Sequence, residues 1–249
     1  MFRKMLASAV FAGVAAGLLA TLLHFVFVQK SLLLGEEYES GAVSHFQGAA
    51  PAGHDHGAAA EPAETEAHDH AAHDHGDAQA EPSDLQRNAL TGLFSILVFT
   101  GYAMVLVAGF GLAIAYGRRI GAREGLLWGL AGYAAFQLAP ALGLAPELPG
   151  TAAADLAARQ VWWWGTVLAT GAGLALLAYG RGPIYVVLAL VLLAAPHLIG
   201  APHLDGFAGV APPELAATFA ARVLGVGLAV WAVLGWTAGA IWSKETAQA

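Results

Sequence analysis

Apolar runs near the length that crosses a bilayer recur along almost the whole chain, and nothing else in the sequence constrains its fold as much. A membrane-crossing helix needs about 20 predominantly apolar residues. Runs of that kind fall at about residues 6–28, 89–116, 125–144, 162–179, 184–199 and 219–242. Only Gly180, Arg181, Gly182 and Pro183 separate the fourth from the fifth. The pair therefore reads as a tight helical hairpin with Pro183 in a first turn, where its missing N–H costs nothing, and otherwise as a single interrupted span. The expectation is an all-α integral membrane protein, a polytopic bundle of about six transmembrane helices, five being the alternative count. A composition of 57% hydrophobic and 12% charged residues excludes an ordinary soluble domain. The first run continues past the length of a secretory signal's apolar region, so it is read as a retained helix.

The basic residues give an orientation. Arg3 and Lys4 precede the first span, Arg118, Arg119 and Arg123 lie between the second and third, Arg181 between the fourth and fifth, and Lys244 follows the sixth. Cytoplasmic loops carry such an excess of Lys and Arg, which puts both termini in the cytoplasm. The same topology sends residues 29–88, 145–161 and 200–218 outward, and these hold nearly all the Asp and Glu. The chain divides into a first helix (1–28), an extracytoplasmic loop (29–88), a bundle of about five helices (89–242) and a short tail (243–249).

Within the outer loop, "GHDHGAAAEPAETEAHDHAAHDHGD" (53–77) crowds His-Asp-His triplets into a segment of Ala, Glu, Pro and Gly. That composition cannot bury a core and reads as disordered. His54, His56, His68, His70, His73 and His75 nevertheless offer imidazole nitrogens, with Asp55, Asp69 and Asp74 interleaved. Such a set captures divalent metal, and on a flexible chain it follows the general affinity order, copper above nickel, cobalt and zinc. With no Cys and three Met, a soft copper(I) route is disfavoured.

Translocation needs ligands at fixed positions, which turns attention to the helices and their ends. His24 in "TLLHFVFVQ" lies near the outer end of the first span, and "LLLGEEYES" follows with Glu36, Glu37 and Glu39. These read either as an entry route for a cation or as a helix-packing histidine and a solvated acidic cap. "APHLIGAPHLD" places His197 and His203 at a Pro-broken helix end with Asp205 behind them. In "FQLAPALGLAPELPG", Pro140 is expected to interrupt the third span, with Gln137 and Glu147 on either side. Trp162, Trp163 and Trp164 read as an interfacial belt, and Asp155 and Arg159 as a local pair. Gly101, Gly109, Gly111, Gly171 and Gly173 read as small residues that permit close helix packing.

The sequence lacks a Gly-x-x-x-x-Gly-Lys-Ser/Thr phosphate loop, and away from their ends the spans hold no Asp, Glu, Lys or Arg. ATP hydrolysis by that route and an autonomous proton antiporter are both unsupported. Catalysis and nucleic-acid binding have no visible basis.

The pieces "FQLAPALGLAPELPG", "ADLAARQVWWWGT", "APHLD" and "PPELAATFAARVLG", with the amino-terminal "LLHFVFVQKSLLLGEEYE", resemble the CbtA family of predicted cobalt transporter subunits across all the spans. The resemblance carries His24, Glu37, Tyr38 and Glu39 over as family positions. The acidic stretch departs from the family pattern, being shorter by about a residue, so that Glu36 or Glu37 is the counterpart. What the resemblance implies is cobalt(II) uptake feeding cobalamin synthesis, no prosthetic group, and a location in the bacterial inner membrane. It also implies a small single-span partner of the CbtB type that bears histidines. Nickel, zinc or copper are further ions for the loop. Two other readings stay open: a metal buffer or sensor that transports nothing, and a membrane cytochrome with His24 and His197 as axial haem ligands.

Overall fold

The structure is a computed structural model that describes residues 2–44, 83–206 and 209–247. α1 (Phe2–Leu23) passes without a break through a π-helical turn, His24–Val28, into α2 (Gln29–Glu39). α3 (Asp84–Ala115) starts at Ser83, whose hydroxyl accepts from the Gln86 N–H at 3.3 Å. Satisfying one of the orphan N–H groups of the first turn in this way fixes where the helix begins. α4 (Ala122–Tyr133) is capped by Glu124, which accepts from the Gly121 N–H at 3.0 Å. It continues through a second π-helical turn, Ala134–Leu138, into α5 (Ala139–Ala141). α6 (Leu156–Tyr179), α7 (Pro183–Ile199) and α8 (Pro213–Ala247) complete the chain, with Pro183 in the first turn of α7. Among the described residues the β pairing is confined to one isolated antiparallel bridge between Thr151 and Gly209.

Among the described residues four helical runs are long and apolar enough to cross a membrane, Met5–Glu39, Asp84–Ala115, Leu156–Tyr179 and Pro213–Lys244, and Pro183–Ile199 is a shorter apolar helix. The α4–α5 run adds a sixth helical segment among the described residues, and the architecture is that of an all-α membrane protein. Large apolar side chains cover the outside, among them Leu18, Phe94, Leu97 and Leu168, as a lipid-facing surface requires.

The helices extend beyond the apolar runs read from the sequence. The first helix does not stop at Val28 but runs to Glu39, and α3 begins at Asp84, so the interval 29–88, expected to be a disordered loop, is helical at both ends. The third helical run ends at Ala141, close to the expected residue 144, whereas α6 begins at Leu156 and α8 at Pro213, each ahead of its apolar run. His45 and the His-Asp-His triplets fall at 45–82, outside the described residues.

Packing follows small residues. On α1, Ala9, Ala12, Ala16 and Ala20 are buried at helical spacing, and a Cβ on Gly13 or Gly17 would run into the α3 backbone at Thr100 or Ile96. α4 and α8 cross still more closely: Gly125 and Gly129 face Gly235 and Gly239, with backbone atoms where a Cβ would stand. In lipid, where apolar tails solvate side chains as well as Leu does, such backbone approach is what holds helices together. Of the glycines picked out from the sequence, Gly109 meets Trp128 and Gly173 meets Leu193, whereas Gly101 and Gly171 have open space. The helices that cross most tightly therefore use a different set. Buried Phe110, Val107, Val230 and Leu234 fill the seam between α3 and α8, and Trp231, Tyr102 and Phe136 form an aromatic cluster beside it.

α6 and α7 form an antiparallel hairpin about Gly182, whose φ of 95° favours glycine. α7 packs on α6 alone among the described elements and exposes most of its surface. The passes alternate in direction, which collects Arg118, Arg119, Arg123, Arg181 and Lys244 at one end and His24, the acidic stretch, His197 and His203 toward the other. These are the basic end and the histidine end.

Candidate metal-entry site

At the histidine end both π-helical turns lie against α8. A π turn inserts one extra residue into the helical ladder and is common at functional sites. The second has a visible cause. Pro140, fully buried, has no N–H to give and its ring crowds the carbonyl four residues earlier, and the widened turn immediately before it accommodates both. The helix is therefore widened and then ended near Pro140, the physical form of the interruption expected from sequence. Within that turn Gln137 donates from Nε2 to the Val223 carbonyl at 3.3 Å, and its side chain lies against Gly227. One turn earlier the Tyr133 hydroxyl donates to the Leu224 carbonyl at 3.1 Å.

The first π turn holds His24, half-buried, with its ring edge-to-face on Phe25 at 5.7 Å between centroids. Arg222 of α8 reaches this turn: Nη1 donates to the Phe27 carbonyl at 3.2 Å and to the Ser31 hydroxyl at 2.8 Å. Ser31 is buried and Arg222 ties α8 to it, so the guanidinium closes the histidine end of the α1–α8 contact. The sequence reading passed over Arg222, which stands one turn inside an apolar run. A lone guanidinium in such a run is a signal of function in its own right.

The acidic residues lie farther along the same helix. Glu36 is half-buried and 3.7 Å from Arg87 of α3, which also pairs with Asp84 at 3.1 Å, while Gln29 donates to Asn88 at 3.3 Å. Glu37 is exposed and lines a shallow groove of about 410 Å³ with Phe25, Gln29, Lys30, Leu33 and Leu34. Glu39 is exposed, and its backbone lies under Gly150, whose φ of 73° lets the loop from α5 to α6 fold over the helix. Leu148 of that loop packs with Val28 and Phe219 to cap the histidine end. At 1.5 Å per residue, Glu36 lies roughly 18 Å along the axis from His24. At that separation one ion cannot touch both.

His197 is exposed at the end of α7, edge-on to Trp162 at 6.2 Å. Trp162 donates from Nε1 to the Pro196 carbonyl at 3.1 Å, so it holds the last turn of α7. His203 and Asp205 are exposed in the loop beyond. The elements that carry His24 and His197 do not meet, since α7 touches α6 alone among the described elements. That separation gives no support to a haem held by this pair. Among the described residues no three His, Asp or Glu come together as a metal-holding group.

The expected Asp155–Arg159 pair is replaced by two other contacts. Asp155 caps α6 by accepting from the Ala158 N–H at 2.9 Å, and Arg159 pairs with Glu147 at 2.6 Å, joining the α5–α6 loop to α6. A carboxylate aimed back at the first-turn N–H groups is no longer available to a side chain four residues on.

The family model described as Probable cobalt transporter subunit (CbtA) matches residues 2–243. No curated protein and no solved structure matches the chain. The matched stretch takes in every membrane pass and both π turns that face α8, and on that extent the chain belongs to the CbtA family of probable cobalt transporter subunits.

Proposed function

We propose that the chain is the membrane subunit of a cobalt(II) uptake system supplying cobalamin synthesis. In this reading the basic end faces the cytoplasm and the protein sits in the bacterial inner membrane. The His-Asp-His segment collects divalent metal outside, and the ion passes from the acidic stretch of α2 toward His24. A small single-span, histidine-bearing partner of the CbtB type completes the system. The observation that carries the reading is family membership over 2–243 together with a half-buried histidine in a π turn below an acidic helix end.

Divided labour follows from the chemistry. Triplets of His and Asp on one segment concentrate metal without selecting it, because mixed nitrogen and oxygen ligands follow the general affinity order. Selection and passage belong to groups held by the helices, His24 above all, with His197, His203 and Asp205 at a second outer position.

The test is radioactive cobalt accumulation in cells without other cobalt importers, expressing the chain with its partner, and comparing His24→Ala at equal membrane expression. Uptake by the wild type that falls at least about tenfold in the variant, the loss of one ligand from a metal path, supports the reading. No uptake by the wild type overturns it in favour of metal buffering. Imidazole must be neutral to bind metal, and its ordinary pKa is about 6.5. Cobalt capture by the purified protein is therefore expected to be strong at pH 8 and to fall as pH drops through 6.5. An affinity unchanged from pH 8 to 5 contradicts histidine ligation.

A further inference from the structure

At the basic end, α3, α4 and α6 do not close on one another. Between them lies a cavity of about 550 Å³, walled by Leu106, Trp128, Phe136 and Leu174, with Arg118, Arg119 and Glu124 lining it at the basic end. The contrast with the α4–α8 crossing is informative. There, small residues bring two backbones into contact. Here Ala131 of α4, Ala135 of the π turn that follows it, and Gly171 and Ala175 of α6 line the cavity instead, and a Cβ on Gly171 would meet no atom within 4 Å. Aromatic contacts set the gap: Phe136 against Trp163 at one end, with ring centroids 6.2 Å apart, and Trp128 against Tyr179 at the other, 6.5 Å apart.

The dimensions fit one leaflet. From Glu124 to Phe136 the lining of α4 and the π turn after it covers a rise of roughly 18 Å, slightly more than half of a hydrocarbon core of about 30 Å. The mouth thus stands at headgroup level and the slot reaches toward the bilayer centre. Its charge is net positive. Arg118 lies over the Tyr179 ring at 5.3 Å, and neither it nor Arg119 has a carboxylate partner among the described residues. Glu124, the anion at the mouth, is occupied as the cap of α4. The three ion pairs among the described residues instead engage Arg87 and Arg159 at the histidine end.

An apolar slot one leaflet deep beside two guanidinium groups that have no carboxylate partner among the described residues matches a molecule with a hydrocarbon chain and a negative head. We propose that the cavity between α3, α4 and α6 is a binding site for an anionic phospholipid, its phosphate held by Arg118 and Arg119 and one acyl chain in the slot. Basic pockets between membrane helices on the cytoplasmic side select such headgroups. A zwitterionic lipid brings its own cation to the same arginines and gains less. The inference stands apart from the transport reading, since none of these residues belongs to the metal path.

The experiment is native mass spectrometry of the purified full chain in detergent, titrated with dioleoylphosphatidylglycerol, dioleoylphosphatidylcholine or inorganic phosphate. Two interfacial arginines predict a preference of about 30-fold for phosphatidylglycerol over phosphatidylcholine. Arg118→Gln with Arg119→Gln is expected to erase the preference. Gly171→Leu, which fills open space without touching charge, is expected to lower retention of both lipids while leaving thermal unfolding unchanged. Equal retention of the two lipids by the wild type overturns the proposal. So does displacement of phosphatidylglycerol by inorganic phosphate alone, which would assign the arginines to a soluble anion. Undiminished lipid retention in Gly171→Leu places the lipid elsewhere and overturns it as well.

Discussion

Gly129 and Gly101 look alike in the sequence, each a glycine in an apolar helix, yet the structure gives them opposite roles. Gly129 stands against the Trp231 carbonyl and Gly235, while Gly101 has nothing within 4 Å. Gly129→Val is expected to force apart two backbones. Overpacking of this kind costs about 1–3 kcal/mol, seen as a lower midpoint for thermal unfolding of the purified protein. Gly101→Val is expected to leave that midpoint unchanged; equal effects from the two would contradict the assigned packing. The distinction was not legible beforehand because it depends on which neighbour's backbone is opposite, a fact of tertiary structure. Asp155 teaches the same lesson. Its spacing to Arg159 fits a helical ion pair, but only the helix start shows that Asp155 is the cap and that Glu147, in a preceding loop, takes the arginine. The presence of His24, Glu36 and Glu37 was legible; that roughly 18 Å separates the histidine from Glu36 needed the unbroken helix.

Helical passes were the most legible elements, since long apolar runs leave the backbone one way to satisfy its hydrogen bonds in lipid. Their ends were less so. Residues 29–39 carry enough charge to resemble a loop, yet they continue a helix already nucleated, and α3 beside them supplies partners through Asn88 and Arg87. The two π turns divide in the same manner. Pro140 announces a disturbance in the third run, whereas "HFVFV" contains no proline or glycine to announce the first. An inserted residue rotates everything beyond it by about 100°, and here that rotation belongs to the arrangement in which Gln29 meets Asn88 and Ser31 meets Arg222. Removing one residue from the turn, such as exposed Val26, is expected to restore an α-helical ladder and break both contacts. The chain has no Cys, so Gln29→Cys with Asn88→Cys provides a clean pair for a short bifunctional thiol reagent. Cross-linking is expected in the full-length chain and not in the chain lacking Val26. Equal cross-linking in both would show that the turn does not set the register.

For the whole molecule, the two ends differ in charge and in what they do with it. The arginines of the histidine end are engaged locally, Arg87 with Glu36, Arg159 with Glu147 and Arg222 with Phe27 and Ser31, while Arg118 and Arg119 stand free of carboxylates among the described residues. The gathering of Arg118, Arg119, Arg123, Arg181 and Lys244 at the basic end is the bias expected of a cytoplasmic face. A membrane-impermeant thiol reagent applied to intact cells is expected to label Ser40→Cys and to reach Arg181→Cys only after lysis; the reverse pattern would invert the transport direction. The central claim is that the bundle carries cobalt while the His-Asp-His segment only gathers it. The measurement that tests it most directly is the initial rate of radioactive cobalt uptake against external cobalt, in cells expressing the partner, with the wild type and with a chain lacking residues 53–77. The account predicts a raised half-saturating concentration and a nearly unchanged maximal rate in the shortened chain. A maximal rate abolished by the deletion would contradict it, by placing an indispensable step of transport in the segment itself.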